Sequence, residues 1–458
     1  MTARTRGIGG TRDMTEGSVI RQILLFSLPL MAGNVFQLLY NTVDVWVVGN
    51  YVSKQALAAV GSTTMIINML VFFFNGYSVG AGVIIARHFG AKDMDRLHAA
   101  VETTVAMTFV FCLIFTLLGT AGVKPMLRFM ATPEDVFDDA VSYLTIYFLG
   151  IAGLLVYNIG SGILRAVGDT FRPLLFLALT SVLNIILDLV FVLKAGLGVR
   201  GVALATVLSQ LVSAMLTLVL LTGTKDIYRL VWRDLRIDVP VLRSIFAIAL
   251  PAGVQSVVTS FSNVFVQSYV NRFGSSCMAG WSSYNKLDQF IMLPMQSMGM
   301  AATTFVSQNL GAGMVRRANR GTAVAVALST GVTAVIASGL FIFAEPAIGL
   351  FTKDASVIRY GAMFLHVNVF FLVANCVNHT LAGALRGRGD SRGPMAIMLI
   401  SFVGIRQIYL FAVTRLVANT PMLVGLGYPV GWVTCCAIEV AYVLKKLAKS
   451  RESEASAG

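Results

Sequence analysis

LRAVGDTFRP at residues 164–173 returns as LRGRGDSRGP at residues 385–394. Leu164-Arg165, Gly168-Asp169 and Pro173 thus reappear as Leu385-Arg386, Gly389-Asp390 and Pro394, 221 positions on. Working outward, two further matches share nearly the same offset. Leu28-Pro29 pairs with Leu250-Pro251, and Phe89-Gly90-Ala91 pairs with Leu310-Gly311-Ala312. Three matches at nearly one offset mark a duplicated chain.

Each copy contains six apolar runs long enough to cross a bilayer as a helix, which needs about 20 residues. The first six lie at roughly 20–48, 56–86, 99–122, 139–163, 173–194 and 201–222. The second six lie at roughly 243–270, 276–307, 320–343, 357–383, 395–417 and 422–444. Transmembrane strands would alternate apolar and polar residues, and these runs are continuous. The predicted fold is therefore all-α and integral to the membrane, with twelve transmembrane helices in two pseudo-symmetric six-helix bundles around a central cleft. Six is even, so both bundles enter the membrane in the same sense, as a parallel repeat. The predicted divisions are a cytoplasmic tail at 1–19, an N-terminal bundle at 20–222 and a charged cytoplasmic linker at 223–240. A C-terminal bundle at 241–445 and a tail at 446–458 follow.

Composition points the same way. Of 458 residues 56% are apolar and only 12% are charged, about half the charge of a typical soluble protein. Mean hydropathy is +0.77. A soluble enzyme is excluded. The net charge of +13 would suggest nucleic acid in a soluble chain, but the Lys and Arg residues follow membrane topology. With the N-terminus inside, 24 of the 35 fall on the cytoplasmic side and 9 outside, while Lys286 and Arg406 lie within spans. The positive-inside rule then places both termini in the cytoplasm of a multi-pass plasma (inner) membrane protein. No nucleic-acid partner is needed. The run Ile20 to Gly49 is too long for a signal-peptide core and lacks an A-x-A-like site. Met14 is an alternative start to the chain. The five cysteines show no CxxC spacing and the four histidines no HExxH pair, so metal and disulfide chemistry have no support.

Acids at membrane depth are costly, at least about 2.5–3.5 kcal/mol each, and commonly functional. Asp44 in the first span and Asp188 in the fifth meet that condition. Gln37 and Tyr40 precede Asp44 by seven and four residues on its helical face, with Asn41 beside them; Asn184 precedes Asp188 by four. Such a set can hold a proton or a sodium ion, the latter through hard oxygen ligands. The alternative is an acid bonded to an unwound turn. Lys286 and Asp288 are two apart and do not face each other on a helix; Asp288 pairing with Arg406 is one expectation, a transport role another. Glu439 is expected near the membrane interface. Met292 and Met295 offer an adaptable wall for a substrate cleft, against ordinary packing.

The LRxxGD…P signature, the FGAK and LGAG sequences, the Leu-Pro first spans and the duplication together resemble the multidrug and toxic compound extrusion (MATE) family. The resemblance covers about residues 15–445. In the family's DinF-like branch, it implies a cation site formed by Asp44, Asn184, Asp188, Asn158 and Thr206, the last two by span position. Pro29 matches the family's kinking proline and is the implied hinge. Members that couple through acids in the seventh and tenth spans differ, since this chain has none at 241–270 or 357–383. Ile405 and Tyr409 stand at the duplicates of Asn184 and Asp188, which confines the expected coupling to the N-terminal half. Arg87 and His88 replace a pair that the family usually keeps uncharged.

The expected function is a proton- or sodium-coupled antiporter that exports drug-like, cationic organic compounds by alternating access. It would work as a monomer in the lipid bilayer with no cofactor beyond the coupling ion. A lipid-linked oligosaccharide flippase of the same superfamily is the main alternative, although Lys286 and Arg406 alone are few cations for a diphosphate. A membrane-embedded prenyl-transfer enzyme would need Asp-rich magnesium motifs. NxxxD at Asn184 and Asp188 is too sparse, and no GxxxxGK[ST] motif for ATP occurs.

Overall fold

A computed structural model describes residues 10–456. The first nine residues of the N-terminal tail, with Arg4 and Arg6 of the charge count, lie outside the described residues, as do the last two of the C-terminal tail. The first half runs α1 (Val19–Tyr51), α2 (Lys54–Ala91), α3 (Met94–Phe129), α4 (Glu134–Leu149), α5 (Ile151–Ala166), α6 (Phe171–Leu189) and α7 (Gly198–Gly223). The second runs α8 (Val239–Val270), α9 (Ser275–Gly311), α10 (Val315–Ile342), α11 (Ala344–Gly349), α12 (Ala355–Val369), α13 (Leu372–Gly387), α14 (Arg392–Met398), α15 (Arg406–Ala412), α16 (Pro421–Gly425) and α17 (Gly427–Ser456). Side chains close several ends. Ser53 accepts a hydrogen bond from the Ala56 amide and Asp93 from that of Arg96, the usual way of satisfying the free N–H groups of a first turn.

Among the described residues, nine helical stretches are long and apolar enough to cross a membrane. Two bent pairs, α4–α5 at 49° and α12–α13 at 56°, qualify as one span each. The remaining predicted span is α9, whose 37 residues are ample in length. It is less apolar because Asn285, Lys286, Asp288 and Gln289 interrupt it. Twelve predicted runs thus correspond to twelve helical spans.

The chain forms two compact units, one of Leu28–Gly253 with the residues up to Glu16, and one of Gly17–Ser27, Val254–Leu310 and Met314 onward. The chain passes between them inside α1 and again inside α8, the latter in place of the segment 223–240. Two glycines explain the division in α8. A Cβ on Gly76 would lie 2.8 Å from the Ala249 carbonyl oxygen, and one on Gly80 would lie 2.6 Å from that of Ile245. Without side chains at those positions, the start of α8 packs directly on α2, and Tyr228 and Leu230 of the segment between bundles join the same core. Gly311–Gly313 also belong to the first unit, with Gly311 so close to Arg87 that a Cβ would sit 1.9 Å from its carbonyl oxygen.

The two copies of the LRxxGD motif fold alike and then diverge. Gly168 and Gly389 both take φ of +86°, a left-handed conformation that suits glycine. Asp169 accepts from the Arg172 amide at 3.1 Å, and Asp390 from the Gly393 amide at 2.9 Å. Burial pushes the Asp169 carboxyl above its ordinary pKa despite that bond. Burial acts on Asp390 too, but hydrogen bonds from Lys446, the Gly393 amide and Tyr442 outweigh it and hold the carboxyl below the ordinary value.

Candidate functional site

The first unit gathers its polar side chains around α1, α5, α6 and α7. Asp44 and Asp188 are buried, Asp188 completely at 0% exposed, and so are Asn184 and Thr206. Asn184 and Asp188 share a face of α6 because they are one turn apart. Directly after Asp188 the helix widens into a π-turn over Val190–Lys194, a distortion often found at functional sites. The Asp44 carboxylate faces both the Asp188 carboxylate and the Thr206 hydroxyl. Thr206 spends its proton on the Val202 carbonyl at 3.0 Å, which leaves its oxygen as an acceptor.

Donors are missing from this arrangement. One Asp44 oxygen, both Asp188 oxygens and both polar atoms of the Asn184 side chain have no hydrogen-bond partner. A buried polar atom left in that state costs about 1–3 kcal/mol. Two facing carboxylates also repel unless a proton or a metal cation lies between them. The geometry therefore asks for a positive charge. Its donor set of carboxylate, amide and hydroxyl oxygens suits either a proton or a hard cation such as sodium. No group of three or more His, Cys, Asp or Glu side chains that could hold a metal occurs among the described residues.

Beside the acids lies a cavity lined by Gln37, Tyr40, Asn158, Asn184, Thr206 and Gln210 among others. Five of the residues singled out from the sequence thus meet on one wall. Asn158 uses its amide on the Leu154 carbonyl at 2.8 Å. Asn41 is exposed and does not join them. Met295 is fully buried in the core of the second unit, with Met292 packed against that core. Pro29 lies inside α1 and is half-buried.

Tyr143 was not legible from the sequence. It is buried on α4, within electrostatic reach of both Asp44 and Asp188, and it stacks on Tyr147 at 6.5 Å between ring centroids. The only signal was two tyrosines one turn apart in an apolar run, which reads equally well as an interfacial belt.

In the second unit the duplicate positions do other things. Tyr409 donates to the Leu423 carbonyl at 3.0 Å. Arg406 does not pair with Asp288. It donates to Ser262 and Asn263 at 3.2 and 3.0 Å and lies over the rings of Phe402 and Tyr428. Two aromatic rings and two neutral acceptors thus replace the expected ion pair, a favourable setting for guanidinium. Lys286 is exposed and reaches over Phe351. Glu439, expected near the membrane interface, is 1% exposed, packed inside the second unit.

The MatE family model matches residues 29–190 and 251–411, one segment in each half. The probable multidrug resistance protein YoeA of Bacillus subtilis (strain 168) is 26% identical over 439 residues, covering 94% of this chain and 95% of its own. The multidrug export protein MepA of Staphylococcus aureus (strain NCTC 8325 / PS 47) is 23% identical over 431 residues, covering 94% and 95%. Among solved structures, a MATE transporter in the bent conformation superimposes with a TM-score of 0.91 at 21% identity, covering 96% of this chain and 98% of that one.

Proposed function

Because the chain belongs to the MatE family of multidrug efflux transporters, we propose that it couples export of cationic, drug-like organic compounds to entry of a proton or sodium ion at Asp44 and Asp188. It is a membrane transporter, not an enzyme. The observation that carries the coupling reading is the pair of facing carboxylates without a donor. Asn184, Thr206 and Asn158 serve as neutral oxygen ligands in this proposal. Gln37, Tyr40 and the remaining cavity wall meet the organic substrate. Placement in the DinF-like branch is part of the same reading and rests on Asp44 and Asp188 together with the lack of acids at 241–270 and 357–383.

A cation entering from outside neutralises the acids, and α1 bends at Pro29. That residue lacks the N–H for one helical hydrogen bond and so weakens the helix locally. A transporter of this fold has been solved in a bent conformation, which supports such a step. The substrate then leaves outward, completing alternating access. We place the protein in the plasma membrane as a monomer with both termini cytoplasmic, as the Lys and Arg bias directs. A diphosphate-carrying lipid fits less well, since no Lys or Arg lines the cavity.

The test uses proteoliposomes, a fluorescent organic cation and pH and sodium gradients imposed one at a time. One gradient should drive transport. Transport indifferent to both would remove ion coupling from the mechanism.

A further inference from the structure

We propose that Glu439 and Arg386 form a second proton-taking site, inside the second unit and independent of Asp44 and Asp188. Glu439 lies in the middle of α17, is 1% exposed, and neither of its carboxylate oxygens has a hydrogen-bond partner. Arg386 on α13 is near enough to act on its charge, yet the two are not closed into an ion pair. Arg386 instead donates through Nη1 to Gln255 at 2.9 Å, while its Nε has no partner. A buried carboxylate in this setting is satisfied by taking a proton or by closing onto the guanidinium.

The surroundings extend the site into a file of polar groups. Asn378 and Arg386 are eight apart on one face of α13, and Asn378 donates to the Trp432 carbonyl of α17 at 3.0 Å. The Asn378 oxygen and the fully buried Ser401 hydroxyl are likewise without partners. One turn beyond Glu439, Tyr442 donates to Asp390 at 2.7 Å, and Asp390 also holds the partly exposed Lys446. Tyr442 lies one turn from Glu439 on the same side of α17, toward the end of the helix where Lys446 meets solvent. The other titratable groups facing the site are His379 and Cys376 from α13, Arg406 from α15, and Cys435 and Cys436 from α17 itself.

The duplication argues against a purely structural pair. Arg165, the copy of Arg386, donates to Ser78 at 3.4 Å, and Leu218 stands where the first half would carry the acid. Packing of the shared motif therefore does not require it. The proton comes from solvent by way of Asp390 and Tyr442 and rests on the Glu439 carboxyl. On its release the carboxylate draws Arg386 across, tightening α13 against α17. The second half then carries its own pH-responsive latch.

The experiment compares purified full-length proteins in lipid nanodiscs, all carrying Asp44→Asn and Asp188→Asn. Infrared difference spectra on acidification report carboxyl protonation, and an indicator dye reports proton uptake. The parent should show a carboxyl band that Glu439→Gln removes together with its share of the uptake, while Glu439→Asp keeps the band at a shifted position. A band and uptake unchanged in Glu439→Gln would overturn the proposal. So would equal losses of thermal stability in Glu439→Gln and Arg386→Gln with proton uptake unaltered, since that is what a simple ion pair gives. Asp44 and Asp188 are absent throughout, so failure here is distinct from failure of the coupling site in the first unit.

Discussion

At Asp44 the side chain is both badly solvated and badly partnered, and those two facts predict opposite effects on stability and on transport. Asp44→Asn removes a buried charge that faces another carboxylate, so folding should be unharmed or slightly improved. Gradient-driven export should fall by ~10-fold or more, because an amide cannot take up the charge-neutralising ion. Thermal stability in detergent and efflux from proteoliposomes read the two effects separately; export at the native rate would make Asp44 structural. Asp188→Asn should impair coupling as strongly. Tyr409→Phe, at its duplicate, deletes one hydrogen bond to Leu423 and should cost about 1 kcal/mol of stability with coupling intact. Equal loss of coupling in both variants would show the function to be shared. Asp44 and Asp188 were legible in the sequence because a carboxylate in an apolar run has few innocent explanations. The burial of Glu439 was not legible, because it depends on helices packed around α17 that no local pattern announces.

At the scale of the element, α1 and the α13–α14 junction give separate tests. Pro29 sits within an otherwise continuous α1, and its substitution by alanine restores the missing backbone donor. Pro29→Ala should slow efflux while leaving ion binding in place. Unchanged efflux would remove the bending step. At the junction, Asp390 ties the first turn of α14 to Tyr442 and Lys446 of α17. Its folded pKa is depressed, so its stabilisation is complete above the unfolded value and is lost as pH falls through the folded one. Asp390→Asn should therefore lower the thermal midpoint at neutral pH, by about 1 kcal/mol or less given its partial exposure, and make no difference in strong acid. Asp169 has the opposite shift, so its charge opposes folding at neutral pH and Asp169→Asn should cost less there. Melting curves of the two variants across pH that superimpose would contradict this asymmetry. Nothing in the shared LRxxGD letters distinguishes the two aspartates; the difference comes from Tyr442 and Lys446, brought in by tertiary structure.

Across the whole molecule, the duplication and the twelve spans were legible because each rests on a long, redundant signal. The boundary between units was not. It depends on Gly76 and Gly80 admitting the backbone of α8, a contact that no local pattern announces. The remaining question at this scale is how ion and drug speak to each other. Gln37, Tyr40, Asn184 and Thr206 line one cavity, while Asp44 faces Thr206 and Asp188, so the two ligands act on the same first-unit helices. If the ion favours one conformation and the drug the other, each must weaken the other's binding by the same factor, as linkage between two equilibria requires. Neither can shift the balance by more than its own difference in affinity for the two states. In the purified protein, drug affinity should therefore fall as the coupling ion is raised, whether by lower pH or by added sodium. Ion affinity should fall by the same factor when drug saturates, a coupling of ~5–150-fold in typical cases. Asp44→Asn should abolish both effects and leave drug affinity at the value seen with the ion bound. Drug affinity that does not respond to either ion in the native protein, while efflux remains gradient-driven, would place the coupling at a step other than this shared equilibrium.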